Sequence, residues 1–332
     1  MPAVSPPPLT PAVRQVSGTA CQLGESPLWH PVSQQLYWVD ITGQTIVRAV
    51  GGSLVAEQAQ APEPGLEAPA EQRWQLDDQP SCLAPARNGD LVVGLRKGVA
   101  LFAPGSGECA LLAAAPWDTQ TTRSNDGRCD PAGRFWTGTV FEPKTGNHAH
   151  LYCLRGSAGR WRLDAVLDDN LTANGLAFDP ARNMAWWSNT PAHVIYRYPF
   201  DRQRGLFGAR TVFHQFAPRQ QDMTYGGRPD GACLDTAGHY WVAMYEGSRV
   251  LRLDPTGNIV LDLRLPVTCP TMVCLGGTDL RTLFITSASK GRPPAELAAE
   301  PLAGHVLAVH LDALGLPADV RGLPADLFAE PA

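Results

Sequence analysis

Leu36-Tyr37-Trp38-Val39-Asp40 is a short run of aromatic and aliphatic residues that carries no charge until its last position. It reads as a β-strand. After a turn comes a second run, Thr45-Ile46-Val47-Arg48, and the pair then recurs along the chain. Asp90-Leu91-Val92-Val93-Gly94 precedes Val99-Ala100-Leu101-Phe102, and Arg134-Phe135-Trp136-Thr137-Gly138 precedes Leu151-Tyr152-Cys153-Leu154. Met184-Ala185-Trp186-Trp187-Ser188 is followed by Val194-Ile195-Tyr196-Arg197, and Tyr240-Trp241-Val242-Ala243-Met244 by Arg249-Val250-Leu251-Arg252. The last pair is Leu283-Phe284-Ile285-Thr286-Ser287 with His305-Val306-Leu307-Ala308. Turns such as Asn88-Gly89, Ala132-Gly133 and Ala237-Gly238 introduce several of these strands.

Six such units, roughly 43 to 55 residues apart, have the period of propeller blades. The prediction is an all-β chain folded as a six-bladed β-propeller with a central metal site. A β-sandwich gives no reason for a strand–turn–strand unit to repeat six times. Few stretches show helical periodicity. The segment from Ser53 to Gln79, rich in Ala, Pro, Gln and Glu, reads as a long connection within or between the first two blades. Residues 1–15 read as a loose, Pro-rich tail and 16–332 as one propeller domain.

Bulk composition fits that reading. The 332 residues are 44% hydrophobic and 18% charged, normal for a globular core, and the net charge of -5 argues against a basic nucleic-acid surface. The 32 Gly and 30 Pro are spread between apolar runs and so read as turns. None of the eight cysteines forms a C-x-x-C pair, which disfavours a zinc-thiolate centre and suits buried thiols in a reducing compartment. The N-terminus lacks a signal-peptide pattern, and no apolar run is long enough to span a membrane. A cytoplasmic protein is the expectation, with no membrane or nucleic-acid partner. Oligomeric state is left open.

Four polar segments interrupt the strand pattern: Gly24-Glu25-Ser26-Pro27, Arg123-Ser124-Asn125-Asp126-Gly127, Asn174-Gly175-Leu176 and Arg228-Pro229-Asp230-Gly231. They belong to different repeats, and loops at blade mouths converge on the central channel. Buried carboxylates there need partners, and the sequence does not offer one Lys or Arg for each. A divalent cation shared by Glu25, Asn174 and Asp230 satisfies them together. An all-oxygen set points to a hard ion such as calcium, magnesium or manganese. Each dipeptide taken alone is equally a turn, since Asn-Gly and Asp-Gly are common turn formers. No G-x-S-x-G elbow or recognisable triad supports serine-hydrolase chemistry.

These segments, with Trp29, Asp130-Pro131-Ala132-Gly133-Arg134, Trp241-Val242-Ala243 and Leu275-Gly276-Gly277, resemble the regucalcin/gluconolactonase family of six-bladed propeller lactonases over residues 18–311. The resemblance implies a metal held by Glu25, Asn174 and Asp230, with Asp230 also the general base. It implies that Arg123 and Asn125 contact substrate, and that the partner is a small sugar lactone hydrolysed to the aldonic acid. Zinc and iron(II) join calcium, magnesium and manganese as metals to be considered. Ser188-Asn189 and Val140-Phe141-Glu142-Pro143 depart from the family pattern, leaving Glu142 as the acid placed to face substrate. Asp126 stays unassigned among turn former, acid supporting the ligands from behind and metal neighbour, whereas Asp40 reads as structural. The competing readings are a related propeller esterase or phosphotriesterase, favoured by an apolar pocket, and a non-catalytic calcium-binding propeller.

Overall fold

The repeated strands are continuous apolar runs because both of their faces are buried. In the computed structural model, which describes residues 6–50, 70–157, 159–221 and 224–329, the chain forms six sheets, antiparallel but for one short pairing at the N-terminus. In the first sheet Gly24–His30, Gln35–Asp40, Thr45–Ala49 and Glu71–Gln75 lie side by side in chain order. Alternate side chains of Gln35–Asp40 leave by opposite faces. Tyr37 and Val39 pack with Leu83, Leu91 and Val93 of the next sheet, while Leu36 and Trp38 pack with Phe284 and Ala308 of the last. Each of the six apolar clusters lies in this way between two neighbouring sheets. The ring is therefore closed, and the molecule is a six-bladed β-propeller. Trp38, Trp136 and Trp241 are fully buried in these interfaces, and truncating one to Ala costs about 3–5 kcal/mol.

Closure uses the N-terminus. The last blade is built from Pro270–Gly276, Thr282–Ser287 and Leu307–His310, and Arg14–Gln15 adds its outer strand, pairing with Ala308 and Leu307. Pro8–Leu9 pairs in parallel with Asp262 and Leu263 of the preceding blade. The expectation of a loose tail over 1–15 is corrected at these two points. A two-residue strand carries no periodic pattern, so its pairing is invisible in composition. The connection predicted over 53–79 is also corrected at its end, because Glu71–Gln75 is a ladder strand against Thr45–Ala49; positions 53–69 lie outside the described residues. The single α-helix among the described residues, Pro294–Ala299, is a surface insertion in the last blade, and no helix is long and apolar enough to cross a membrane.

The innermost strands are Gly24–His30, Pro80–Pro85, Thr122–Cys129, Ala173–Asp179, Arg228–Leu234 and Pro270–Gly276. They line the central channel, and their N-terminal ends share one mouth. Residues 322–329 cross the opposite end. Gly322 donates to the Leu280 carbonyl and Leu323 to that of Leu234, while Phe328 and Ala329 reach across to Pro85 and Gly133. Between this strap and the inner strands lies a cavity of about 740 Å³, lined by Leu28, Trp29, Phe178 and Met272 and containing Arg128 and Asp326.

Candidate active site

Every inner strand breaks register with its neighbour once, near the mouth. The breaks fall between Glu25 and Leu28, Pro80 and Cys82, Ser124 and Gly127, Asn174 and Ala177, Pro229 and Ala232, and Pro270 and Met272. A bulge re-aims side chains and leaves them outside the regular alternation. The four polar segments singled out in the sequence all fall at these breaks. Ser26 adopts φ 49° there, and its hydroxyl accepts from the Leu83 amide at 2.8 Å, tying the Glu25 turn to the next blade. Gly175 has φ +62°, and a Cβ at that position would collide with the Tyr240 hydroxyl, which donates to the Gly175 carbonyl at 2.6 Å. Only glycine fits beside Asn174.

One hydrogen-bonded chain runs through three blades. Arg123 Nη1 donates to Asn125 Oδ1 at 2.7 Å and to the Ser124 carbonyl at 2.9 Å. Asn125 Nδ2 donates to Asn174 Oδ1 at 2.6 Å and to the Ala173 carbonyl at 2.9 Å. Asn174 Nδ2 donates to Thr190 Oγ1 at 2.8 Å, and Thr190 donates to the Pro229 carbonyl at 2.7 Å. The chain thus ends beside Asp230. Asp126 lies on the same floor, its Oδ2 accepting from the Leu176 amide at 2.9 Å. Asn125, Asp126, Asn174, Thr190 and Asp230 are all buried.

Three carboxylates share this floor, where like charges and burial oppose ionisation. Burial, then the charges of Asp230 and Asp126, push the Glu25 carboxyl well above the usual range, against the pull of Arg123. Burial and Asp126 raise Asp230 to about 8, although Arg228, Arg123 and a hydrogen bond from Asn174 oppose the shift. Burial also raises Asp126, whose Oδ1 has no hydrogen-bond partner. Arg123, Arg228 and Arg128 only partly offset this charge. Arg123 is engaged with Asn125 and stands 3.6 Å from Glu142 Oε1.

Like-charged carboxylates that resist ionisation and a set of oxygen donors together fit a hard divalent cation at Glu25, Asn174 and Asp230. Asn174 Oδ1 retains a second lone pair after accepting from Asn125. Among the described residues, no group of three or more His, Cys, Asp or Glu side chains stands at metal-binding spacing; the set here is two carboxylates and an amide.

The structure brings five of the six predicted residues, Glu25, Arg123, Asn125, Asn174 and Asp230, onto this floor. Glu142 stands on the rim, held by Arg96 Nη2 at 2.8 Å as well as by Arg123. Thr190 and Arg96 were not singled out in the sequence. A Thr directly before Pro191 at a strand end was the available signal for the first. Asp40 is structural: its carboxylate accepts from the amides of Gln22, Leu23 and Gly43.

The profile of the SMP-30/gluconolactonase/LRE-like region matches residues 23–289. This chain belongs to that family. It is 40% identical over 293 residues to the 6-deoxy-6-sulfogluconolactonase of Pseudomonas putida, covering 88% of this chain and 92% of the relative. It is 31% identical over 304 residues to regucalcin of Gallus gallus, covering 89% and 93%. Among solved structures, the family fold is matched by the calcium-binding protein regucalcin of Agrobacterium tumefaciens. There the TM-score is 0.80 at 24% identity, over 96% of this chain and 98% of that one. The Xanthomonas campestris gluconolactonase gives 0.67 at 18% identity, over 90% and 89%.

Proposed function

We propose that this protein is a metal-dependent lactonase that opens a sugar lactone to its aldonic acid at the mouth of the propeller. The observation that carries the reading is the floor on which Glu25 meets the buried Asp126 and Asp230 beside the Arg123–Asn125–Asn174 chain. Membership of the gluconolactonase family and the 40% identity to a sulfogluconolactonase support the same reaction class. Glu25, Asn174 and Asp230 would hold one divalent ion, which supplies Lewis-acid stabilisation of negative charge when bound.

The chain's own residues do the rest. Asp230 accepts a proton from the attacking water as its oxygen bonds to the lactone carbonyl carbon. The bond from that carbon to the ring oxygen then breaks, and the proton passes to the departing alkoxide, giving a free hydroxyl and a carboxylic acid. Arg123, fixed by Asn125 and Glu142, presents guanidinium donors to substrate oxygens. Asn125 and Thr190 keep Asn174 in register through its two amide ends.

The test follows acid release from a panel of aldonolactones with a pH indicator. Metal-stripped protein is compared with protein given calcium, magnesium, manganese, zinc or iron(II), and with Asp230→Ala. Turnover that needs metal and vanishes in the variant supports the proposal. Failure of every lactone to react above its spontaneous rate with any metal overturns it.

A further inference from the structure

Beside Asp230 the mouth carries an arginine cluster to which the lactonase reading gives no contact with substrate. Arg228 lies two residues before Asp230 on the same inner strand, about 7 Å along the chain. Its Nη2 is 3.2 Å from Glu246 Oε2, and its guanidinium lies 5.2 Å over the Tyr245 ring. Glu246 is shared with Arg219 Nη2 at 3.8 Å and Arg292 Nη1 at 3.5 Å. Arg292 is already clamped by Glu296 through two hydrogen bonds of 2.6 Å. Arg219 stacks 4.5 Å over Tyr225, whose hydroxyl is 2.7 Å from His193 Nε2.

The guanidiniums of this cluster are unevenly paired. Among the described residues of this cluster, three guanidiniums face two carboxylates, and Glu296 serves Arg292 alone. Arg219 and Arg228 are left sharing Glu246. Arg228 Nε is buried and has no hydrogen-bond partner, whereas the Arg219 side chain is 63% exposed. In a protein of net charge -5, this gathers positive charge on the wall nearest the candidate base, where Arg228 also favours the Asp230 carboxylate. Both guanidiniums are stacked on aromatic rings, which fixes their planes and lowers the cost of ordering them around a ligand.

We infer that the lactone taken by this site carries a terminal oxyanion, a sulfonate, phosphate or carboxylate, bound by Arg228 and Arg219. The inference rests on the lactonase reading. With the lactone carbonyl at the Asp230 floor, the far end of a six-carbon sugar reaches the wall two residues up the strand. A planar guanidinium offers two parallel N–H donors to an oxyanion. A neutral hydroxyl at the same carbon meets these two guanidiniums with a dipole only.

The experiment measures kcat/KM for a neutral six-carbon aldonolactone and for its 6-sulfonate, 6-phosphate and 6-carboxylate counterparts. Metal-loaded wild type, Arg228→Gln and Arg219→Gln are compared at low salt and at about 0.5 M salt, where charge attraction is screened within a few ångströms. At least one anionic lactone is expected to exceed the neutral one by about tenfold or more at low salt, an advantage that shrinks in salt. Both variants are expected to lose most of that ratio, chiefly through KM. The three anionic arms identify the oxyanion. Arg219 is exposed, so its variant keeps the test open if Arg228→Gln misfolds. Equal or better use of the neutral lactone overturns the inference and leaves the lactonase reading standing. So does an equal loss on neutral and anionic substrates in both variants. Absence of turnover on every lactone overturns both.

Discussion

Asn125 and Asn174 stand on neighbouring inner strands, and the amide nitrogen of the first donates to the amide oxygen of the second at 2.6 Å. That bond makes the orientation of a candidate metal ligand depend on a residue from another blade. It also fixes which end of each amide faces the floor, because Asn125 Oδ1 already accepts from Arg123 and Asn174 Nδ2 already donates to Thr190. Asn125→Ala removes the donor and leaves a buried acceptor and a freed guanidinium. Unfolding in urea should show a loss of about 1–3 kcal/mol, the usual cost of an orphaned buried polar group. Lactone turnover should fall by about 10- to 100-fold, since the loose amide no longer presents its oxygen. Asn125→Asp, which puts an acceptor against Asn174 Oδ1, should be at least as damaging.

Asp230 sets stability and activity against each other. Its carboxyl is buried near Asp126 and Glu25, and its ionisation is opposed by both burial and charge. Asp230→Asn keeps the shape and removes one acid. The metal-free variant should be more stable than metal-free wild type at pH 8, with a higher melting temperature. Its lactonase activity should fall by about 10²- to 10⁴-fold, the range for loss of a positioned base. Equal melting temperatures for the two metal-free proteins at pH 8 would show that the floor is not strained by charge.

The same acid gives a pH dependence with a definite sign. Its pKa is 3.8 in a free chain and about 8 in the folded, metal-free protein. Below about pH 4 it is protonated in both states and costs nothing. As pH rises through the window from 4 to 8 the unfolded chain ionises first, so folding stability falls, levelling off above 8. Metal-free protein should melt at a lower temperature at pH 8 than at pH 5.5. Added divalent cation should raise the melting temperature more at pH 8 than at pH 5.5, because binding at the lower pH must first displace protons. Scanning calorimetry with and without chelator at the two pH values reads both effects.

Blade number was legible because the two interfaces flanking each blade bury opposite faces of its second strand, which turns Leu36–Val39 and its counterparts into uninterrupted apolar runs. The polar residues at the mouth stood out against that background. Their convergence was not written locally. It comes from six register breaks at equivalent positions in six strands, and a bulge leaves no mark when its residues are Ser-Pro in one blade and Asn-Asp in another. Asp126 could not be assigned for the same reason: whether it faces the channel or a turn depends on where the break falls. Tail pairing at Pro8–Leu9 and Arg14–Gln15 was hidden because two-residue strands have no period to read.

Asp235, at the opposite end of the Arg228–Leu234 strand, provides a structural counterpart to Asp230. Its carboxylate accepts from Trp241 Nε1 at 3.0 Å, from Arg252 Nε at 2.9 Å and from the amides of Ala237 and His239 at 3.0 Å. Asp130 does the same for Trp136 and Arg134 two blades away, so the device recurs at blade ends. Burial works against the Asp235 charge, but His239, Arg252 and the backbone amides outweigh it and hold the carboxyl down at about 2. A depressed carboxylate stabilises the fold above its free-chain pKa of 3.8, and that contribution is lost as pH falls from about 4 to 2. The shift corresponds to about 2 kcal/mol at neutral pH. Asp235→Asn should therefore lose about that much stability at pH 7 in urea, and the difference from wild type should close as acid protonates the native residue. Because Asp235 lies at the strap end of the channel, the folded variant should retain lactone turnover at the wild-type rate. A gap that persists undiminished to pH 2 would assign the stabilisation to hydrogen-bond shape rather than to charge.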